Sequence, residues 1–252
     1  MQGCRVAYNS FVLYHNFRHA VDVLQSVFYF LVAIGALPPY PEGAEPAPYA
    51  NKKSPIARLV GPFEALALLI SAIGHDVGHP GVNNMFLVKL NAPLAQLYND
   101  QSVLEAFHCA AYSQILRRHW PAAFQHKVLR KLMIDTILAT DMGVHADYMG
   151  KLGNLQEKIH QSEDTDGWAP KDIEWARTLT CGLLIKCADI SNVVSHLCFP
   201  LVLKNQVTNP SRHGHGWWLK NGPICCRKNS PIKERWNQLS AWRRHCSVVH
   251  QN

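Results

Sequence analysis

Histidine and carboxylate side chains, the common ligands of divalent metal ions, are concentrated in four short segments of this chain. The segments are residues 14–20, 74–81, 105–108 and 187–192. Together they offer His, His-Asp and Asp ligands for a metal centre, with further histidines that can exchange protons near neutral pH. This combination of residue types indicates a metal-dependent hydrolase.

The spacing of the histidines predicts how they are grouped. His15 and His19 stand four residues apart, as do His75 and His79, so each pair would share one face of a helix. Asp76 adjoins His75, and neutral imidazoles with ionised carboxylates suit Zn²⁺ or Mn²⁺. One helix cannot supply the whole set, so several helices must converge. The isolated histidines are expected to be ordinary core or surface residues: His119, His126, His145 and His160.

Helical periodicity dominates the elements that must position these residues. Apolar residues recur at three- and four-residue steps over residues 11–37, and Gly35 and Pro38 then stop the pattern. No alternating run typical of a strand occurs, so an all-α fold is predicted. Four further helices are predicted over residues 62–73, 103–118, 128–140 and 170–186. Loops are predicted over the proline-rich segment 38–55 and over residues 161–169.

Charge, hydropathy and cysteine content exclude several classes of protein. The net charge of +7 comes from residues 193–252, which hold nine Lys and Arg against one acid, Glu234. The motif-bearing part is nearly neutral, so we predict no nucleic-acid partner. The apolar stretch at residues 27–37 is too short for a transmembrane helix, and no signal peptide is recognisable. The eight cysteines form no CxxC pair, so free thiols and a cytoplasmic location are expected.

Five motifs over residues 8–192, in a fixed order, closely resemble the catalytic domain of class I 3′,5′-cyclic-nucleotide phosphodiesterases. They are Tyr14-His15-Asn16 with His19-Ala20, His75-Asp76-Val77-Gly78-His79-Pro80-Gly81 with Asn84, Asn99-Asp100 with Ser102-Val103-Leu104-Glu105 and His108, Ala139-Thr140-Asp141-Met142, and Cys187-Ala188-Asp189-Ile190-Ser191-Asn192. The resemblance implies a multi-helix bundle of the HD type around a binuclear metal site. It also implies hydrolysis of cAMP, cGMP or both to 5′-nucleotides, which ends cyclic-nucleotide signalling. The proline-rich insertion and Gly78 look more like fungal members.

The resemblance assigns metal ligands residue by residue. The ligands of the first metal, usually Zn²⁺, would be His19, His75, Asp76 and Asp189. Asp76 would bridge to a second metal, usually Mg²⁺ or Mn²⁺. The water molecules of that second metal would be held by His79, Glu105 and Thr140, with Asn84 in support.

The resemblance also assigns an acid and a nucleotide pocket. His15 would be the general acid that protonates the O3′ leaving group, with Glu105 as the carboxylate that orients it. The nucleotide pocket would be lined by Tyr14, Met142 and Asn192. The cyclic nucleotide is the one partner implied, and the sequence makes no prediction of oligomeric state.

After Asn192 the sequence departs from the family pattern. Family members continue with helices that supply a glutamine for the purine edge and an aromatic clamp, which we do not find among residues 193–252. We therefore expect a partial catalytic domain over residues 1–192, incomplete at its C-terminal end, and an unrelated basic tail, disordered or non-native, over residues 193–252. The alternative is a genuine divergent tail that binds a metal through His213, His215, Cys225 and Cys226.

Two other functions therefore stay open beside cyclic-nucleotide hydrolysis. One is a catalytically weak or inactive truncated fragment that binds metal or regulates a full enzyme. The other is a broader HD-type phosphohydrolase that acts on other phosphate esters. The pairing of His15-Asn16 with His19 argues against the broader activity.

Overall fold

The computed structural model describes residues 2–38, 55–162, 165 and 167–191, all within the first of two units, Met1–Val193. Most of the predicted insertion, Asn192 and the predicted tail lie outside these residues. The helices of the described residues are α1 Gln2–Ala7, α2 Phe17–Ala33, α3 Pro55–Leu59, α4 Pro62–Gly74, α5 Asn84–Lys89, α6 Pro93–Leu97, α7 Val103–His119, α8 Pro121–Gln125, α9 Lys127–Leu138, α10 His145–Ser162 and α11 Pro170–Ser191, with a 3-10 turn at Met142–Val144. No strand occurs in these ranges, and the predicted all-α fold is confirmed.

The four helices predicted after residue 60 correspond to α4, α7, α9 and α11. The prediction omitted α10 because its apolar stripe is narrow. Leu152, Leu155 and Ile159 are buried at three- and four-residue steps, while Gly150 and Gly153 lower the helical propensity of the same segment. That stripe packs with residues of α3 and α11 in one apolar cluster, so tertiary burial stabilises a helix that local sequence signals poorly.

The first long helix begins later than predicted. α2 begins at Phe17 because Asn16 is its N-cap, with an extended backbone and a side-chain oxygen that accepts a hydrogen bond from the N–H of Arg18 at 2.9 Å. His15 therefore lies before the helix. The prediction that His15 and His19 share a helical face is wrong, although the two rings still lie close together, with centroids 5.7 Å apart.

Helix α4 forms the centre of the described fold and packs against α2, α7, α9 and α11. It is apolar on almost every side, which is typical of a helix surrounded by others. Its buried residues are Ala65, Ala67, Leu68, Ile70, Ser71, Ala72 and Gly74. Because the helix ends directly before His75 and Asp76, its packing determines where these two side chains lie.

Two further properties of the described residues agree with the sequence. The cysteines Cys4, Cys109, Cys181 and Cys187 are free thiols. Among the helices described, none combines the length and the hydropathy that a bilayer span requires.

Close contact between α4 and α7 depends on the absence of a side chain at Gly74. A Cβ atom at this position would overlap the ring of Tyr112. The Tyr112 hydroxyl also donates a hydrogen bond to the carbonyl of Ile70 at 2.9 Å, so the ring is held at both ends. We infer that Gly74 sets the distance between the two helices.

We predict that Gly74→Ala destabilises the protein by about 1–3 kcal/mol, because the added methyl group overpacks a tight contact. Gly153→Ala on α10 is the matched control, since nothing lies within 4 Å of its Cβ position. That change should stabilise the protein by about 0.5–1 kcal/mol through helical propensity. Denaturant unfolding of both variants gives the two free energies, and changes of the same sign would contradict the proposed role of Gly74.

Candidate metal centre

Three helices bring potential metal ligands to one point. His19 comes from α2, His75 and Asp76 follow α4, and Asp189 lies in the last turn of α11. Single ligand atoms of His19, His75 and Asp76 all lie within 4.8 Å of one another. Oδ1 of Asp189 lies 2.9 Å from Nε2 of His19 and 3.4 Å from Nε2 of His75. The four residues predicted to hold the first metal are therefore neighbours, and their binding of a metal stays a prediction.

His75 and Asp76 present unpaired polar atoms to this point. Nδ1 of His75 donates a hydrogen bond to the carbonyl of Ala72 at 2.9 Å, which orients the ring and turns Nε2 toward the other predicted ligands. Nε2 of His75 and Oδ2 of Asp76 are buried and have no hydrogen-bond partner among the described residues. Buried polar atoms left unpaired are costly. A divalent cation would satisfy both atoms, so the residues present fit a metal ion.

Burial and charge together set the protonation of this group. Burial alone would lower the pKa of His75, but the carboxylates of Asp76 and Asp189 raise it to about 9. Burial alone would raise the pKa of Asp76, but His75 and His108 hold it below its usual range. Burial alone would likewise raise the pKa of Asp189, but the hydrogen bond from His19 and the nearby imidazole of His75 hold it well below its usual range. Both carboxylates are therefore ionised at neutral pH, as metal ligands must be.

The N-terminal segment holds the turn that follows α4. The hydroxyl of Tyr8 donates to the carbonyl of Ile73 at 2.8 Å and accepts from the N–H of Asp76 at 3.4 Å. The side-chain amide of Asn9 donates to the carbonyl of His79 at 2.8 Å. Neither Tyr8 nor Asn9 belongs to a predicted site, because these contacts join positions more than 60 residues apart and no local pattern marks them.

The prediction that His75 and His79 share a helical face is wrong. α4 ends at Gly74, and the chain reverses at Gly78, which has a φ of +78°. This left-handed conformation favours glycine, and a Cβ atom there would also lie 2.9 Å from the ring of Phe107. The reversal brings the ring of His79 against that of His15. The turn therefore places His75 and His79 in different parts of the site.

His79, His15 and His108 form a second group beside the four predicted metal ligands. The rings of His15 and His79 stack with centroids 4.0 Å apart, and His108 follows at 5.5 Å from His79. Burial lowers the pKa of His79 to about 4 and that of His108 to about 3, so both rings are neutral at pH 7. The N–H of Gly81 donates to Nδ1 of His79 at 2.9 Å, which leaves the ring proton on Nε2.

His108, which the sequence analysis placed in a motif without giving it a role, lies beside the predicted metal ligands. Its Nδ1 lies 3.6 Å from Oδ1 of Asp76, and both of its ring nitrogens are buried without a hydrogen-bond partner in the described part of the chain. The signal for it was present in the sequence, since His108 follows Glu105 by three residues on α7 and such pairs share one face of a helix.

Glu105 is held next to α5 by Asn84. The side-chain amide of Asn84 donates to Oε2 of Glu105 at 2.9 Å, and its Oδ1 accepts from the N–H of Leu104 at 2.8 Å. Burial raises the pKa of Glu105 above its usual value. Asn84 thus fixes the carboxylate, and the orientation of His15 by Glu105 stays a prediction.

The other predicted residues occupy buried and exposed positions. Thr140 is buried two residues after the end of α9, and its hydroxyl donates to the carbonyl of Ile137 at 2.8 Å. The ring of Tyr14 lies 4.8 Å from both His15 and His19, measured between centroids. Tyr14 is 42% exposed and Met142 is 56% exposed, so a ligand can reach both. Asn192, the third predicted pocket residue, is outside the described ranges.

Comparison with known sequences finds relatives over most of the chain. The sequence model of the family described as 3′5′-cyclic nucleotide phosphodiesterase matches residues 14–208. The 3′,5′-cyclic-nucleotide phosphodiesterase 2 of Saccharomyces cerevisiae is 32% identical over 192 residues, covering 76% of this chain and 29% of the relative. The human high affinity cAMP-specific and IBMX-insensitive 3′,5′-cyclic phosphodiesterase 8A is 33% identical over 208 residues, covering 76% and 23%. The chain therefore spans less than a third of these relatives.

Solved structures give the same result for the fold. The crystal structure of yeast caPDE2 is 39% identical with a TM-score of 0.61, covering 75% of this chain and 38% of that one. The structure of LmjPDEB1 in complex with IBMX is 32% identical with a TM-score of 0.59, covering 76% and 51%. In both comparisons, a sequence identity above 30% accompanies a similar helical fold. With the family model matching more than half of its residues, the chain belongs to the 3′,5′-cyclic nucleotide phosphodiesterase family.

Proposed function

We propose that this chain hydrolyses 3′,5′-cyclic nucleotides to 5′-nucleotides with the help of two divalent metal ions. The observation that carries the proposal is the group of buried ligands in which Nε2 of His75 and Oδ2 of Asp76 have no hydrogen-bond partner within the described residues. The names of its relatives, which include 3′,5′-cyclic-nucleotide phosphodiesterases of yeast and human, support the class of substrate.

The donor atoms support a specific assignment of the metals. The residues that would hold the first ion are His19, His75, Asp76 and Asp189. Mixed imidazole and carboxylate donors suit Zn²⁺ at this position, whereas Asp76 with water oxygens suits Mg²⁺ or Mn²⁺ at the second. When bound, the ions lower the pKa of the attacking water and neutralise charge on the phosphoryl oxygens.

Three polar side chains would hold the water molecules around the second ion. His79 has its ring proton on Nε2 because Nδ1 accepts from Gly81, so Nε2 can donate to a water oxygen. The hydroxyl of Thr140 uses its proton on the carbonyl of Ile137, which leaves its lone pairs free to accept from water. Glu105 is an acceptor already oriented by Asn84.

His15 would supply the proton that the leaving group needs. In the reaction a water molecule loses a proton to solvent and its oxygen bonds to phosphorus, the bond to O3′ breaks, and O3′ takes a proton from the imidazolium of His15, which solvent then restores. Burial lowers the pKa of His15, and the charge of Asp76 opposes this change. The anionic phosphate of a bound substrate would raise the pKa of His15 further, so substrate binding favours the protonated form.

The nucleotide would lie over the exposed side of the centre. The ring of Tyr14 is next to His15 and offers an aromatic surface, and the exposed thioether of Met142 can contact an apolar base face. Asn192 would contribute a polar side chain to the same pocket. These three residues are the proposed contacts of the substrate.

The purified chain, supplied with Zn²⁺ and Mg²⁺, should hydrolyse cAMP or cGMP faster than an Asp189→Ala blank does. The bond cleaved is phosphorus to O3′, so the product is the 5′-nucleotide, which chromatography identifies. Equal or faster turnover of a linear diester, bis(4-nitrophenyl) phosphate, would favour the broader phosphohydrolase. A chain that binds metal but turns over none of these substrates would indicate a non-catalytic metal-binding fragment.

Replacing His15 by asparagine should reduce kcat by about 10²–10⁴-fold, because the leaving oxygen then departs without a positioned acid. Zinc and magnesium contents should stay at the level of the unchanged chain, since His15 is not a proposed ligand. His126→Asn is the matched control, because His126 is exposed and caps α9 through Nδ1, a task that asparagine performs well. Loss of metal from the His15 variant would refute its role as the acid.

Asp189→Asn should lower the zinc content per chain and weaken the stabilisation of the fold by added Zn²⁺. The amide is a poorer ligand than the carboxylate, and a metal that binds only the folded state raises the melting temperature more, the higher its affinity. Asp172→Asn is the control, because the carboxylate of Asp172 pairs with Lys158. Metal analysis and thermal unfolding with titrated Zn²⁺ measure both effects, and equal zinc affinity in the two variants would count against Asp189 as a ligand.

A further inference from the structure

Lys186 on α11 is a buried lysine three residues before Asp189. Only 4% of its surface is exposed. Its Nζ donates hydrogen bonds to two backbone carbonyls, those of Ala139 and Asp141, both at 2.7 Å. Burying an ammonium group is costly, so a lysine in this position needs contacts that compensate for the loss of water.

Both carbonyls belong to the segment that leaves the end of α9. Ala139 is the C-cap of α9, and the last carbonyls of a helix have no partner within the helix. A cation at this end also interacts favourably with the helix dipole. The ammonium of Lys186, which lies on α11, therefore caps the C-terminal end of α9.

The same segment is tied to α7 on its other side. Oγ of Ser102 donates to Oδ2 of Asp141 at 2.7 Å, while Oδ1 of Asp141 accepts from the N–H of Gly143 at 2.7 Å. Ser102, directly before α7, has a φ of +42°, a strained conformation for a residue with a side chain. Residues 139–142 are thus held between α7, which carries Glu105, and α11, which carries Asp189.

The surroundings of Lys186 form a defined pocket for its side chain. Its Nζ lies 5.6 Å from the ring centroid of Tyr148 on α10, within cation–π distance. A Cβ atom at Gly182 would lie 2.8 Å from the Tyr148 ring and 3.1 Å from Cβ of Ala139. Gly182, one turn earlier on α11, therefore allows α11 to approach Tyr148 and Ala139 closely enough for Lys186 to reach both carbonyls.

We propose that Lys186 is a positioning residue that fixes residues 139–142 relative to Asp189, and so sets the place of Thr140 and Met142 in the site. The effect on the second metal rests on the proposed function, in which Thr140 holds a water molecule of that ion. The effect on the segment itself does not depend on any activity.

Hydrogen–deuterium exchange tests the position of the segment directly. The N–H groups of Thr140 and Asp141 donate to carbonyls in the last turn of α9, and the N–H of Gly143 donates to the side chain of Asp141. Lys186→Met should speed their exchange by about tenfold or more. Without the two hydrogen bonds of the lysine, local opening of the segment costs less free energy. Lys131→Met is the matched control, since Lys131 is exposed and pairs with Asp135 and Glu174, and exchange at these amides should not change. Unchanged exchange in a folded Lys186→Met protein would overturn the proposal.

Metal affinity separates positioning from a purely structural role. With zinc content unchanged, Lys186→Met should weaken binding of Mn²⁺, measured by electron paramagnetic resonance, by about 10-fold or more. Faster exchange with unchanged Mn²⁺ affinity would reduce Lys186 to a structural residue. Lys186→Gln, which keeps a shorter donor, should give intermediate exchange and serves if the methionine variant does not fold. Failure of the unchanged chain to bind Mn²⁺ would contradict the proposed function, and the exchange measurement would still decide the contacts of Lys186.

Discussion

The organisation of the described fold depends on two carboxylates that stay ionised although most of their surface is shielded from water. Asp76 is 7% exposed and the side chain of Asp189 is 23% exposed, and the pKa values of both lie below their usual range. Such charges are tolerated only where opposite charge or donors surround them. His19 and His75 supply that surrounding, so α2, α4 and α11 must meet at one point. The requirement for a compensated charge thereby dictates the packing of three helices from distant parts of the chain.

The helices meet closely because glycines and the N-terminal segment remove obstacles at defined positions. Gly74 admits the ring of Tyr112, and Gly182 admits Tyr148. Tyr8 then fixes the backbone on both sides of His75 by its hydroxyl group. A metal ligand must be held within a fraction of an ångström of its productive position. The supporting contacts, made by residues with no chemical role of their own, are as necessary for that precision as the ligands.

Sequence periodicity predicted α4, α7, α9 and α11, and the four residues that the family resemblance assigned to the first metal lie close together at the ends of α4 and α11 and on α2. Periodicity gave the wrong prediction where a single residue begins a helix late or reverses the chain. Asn16 caps α2 and excludes His15 from the helix, and Gly78 reverses the chain after α4. It also missed Tyr8 and Lys186, because their partners are more than 40 residues away in sequence. Periodicity reports burial of a face, whereas caps, reversals and long-range hydrogen bonds depend on individual atoms.

Local charge and burial give the histidines around the predicted metal centre two different protonation states at neutral pH. The carboxylates raise the pKa of His75 to about 9, while burial lowers that of His79 to about 4, although both flank the same turn. A ligating imidazole must give up its proton, so below a pH of about 9 a metal that binds His75 displaces a proton, and its affinity falls as the pH falls. His79 is already neutral and offers its Nε2–H at no such cost. The same turn thus places a histidine that is protonated at neutral pH next to one that keeps a neutral ring for hydrogen bonding.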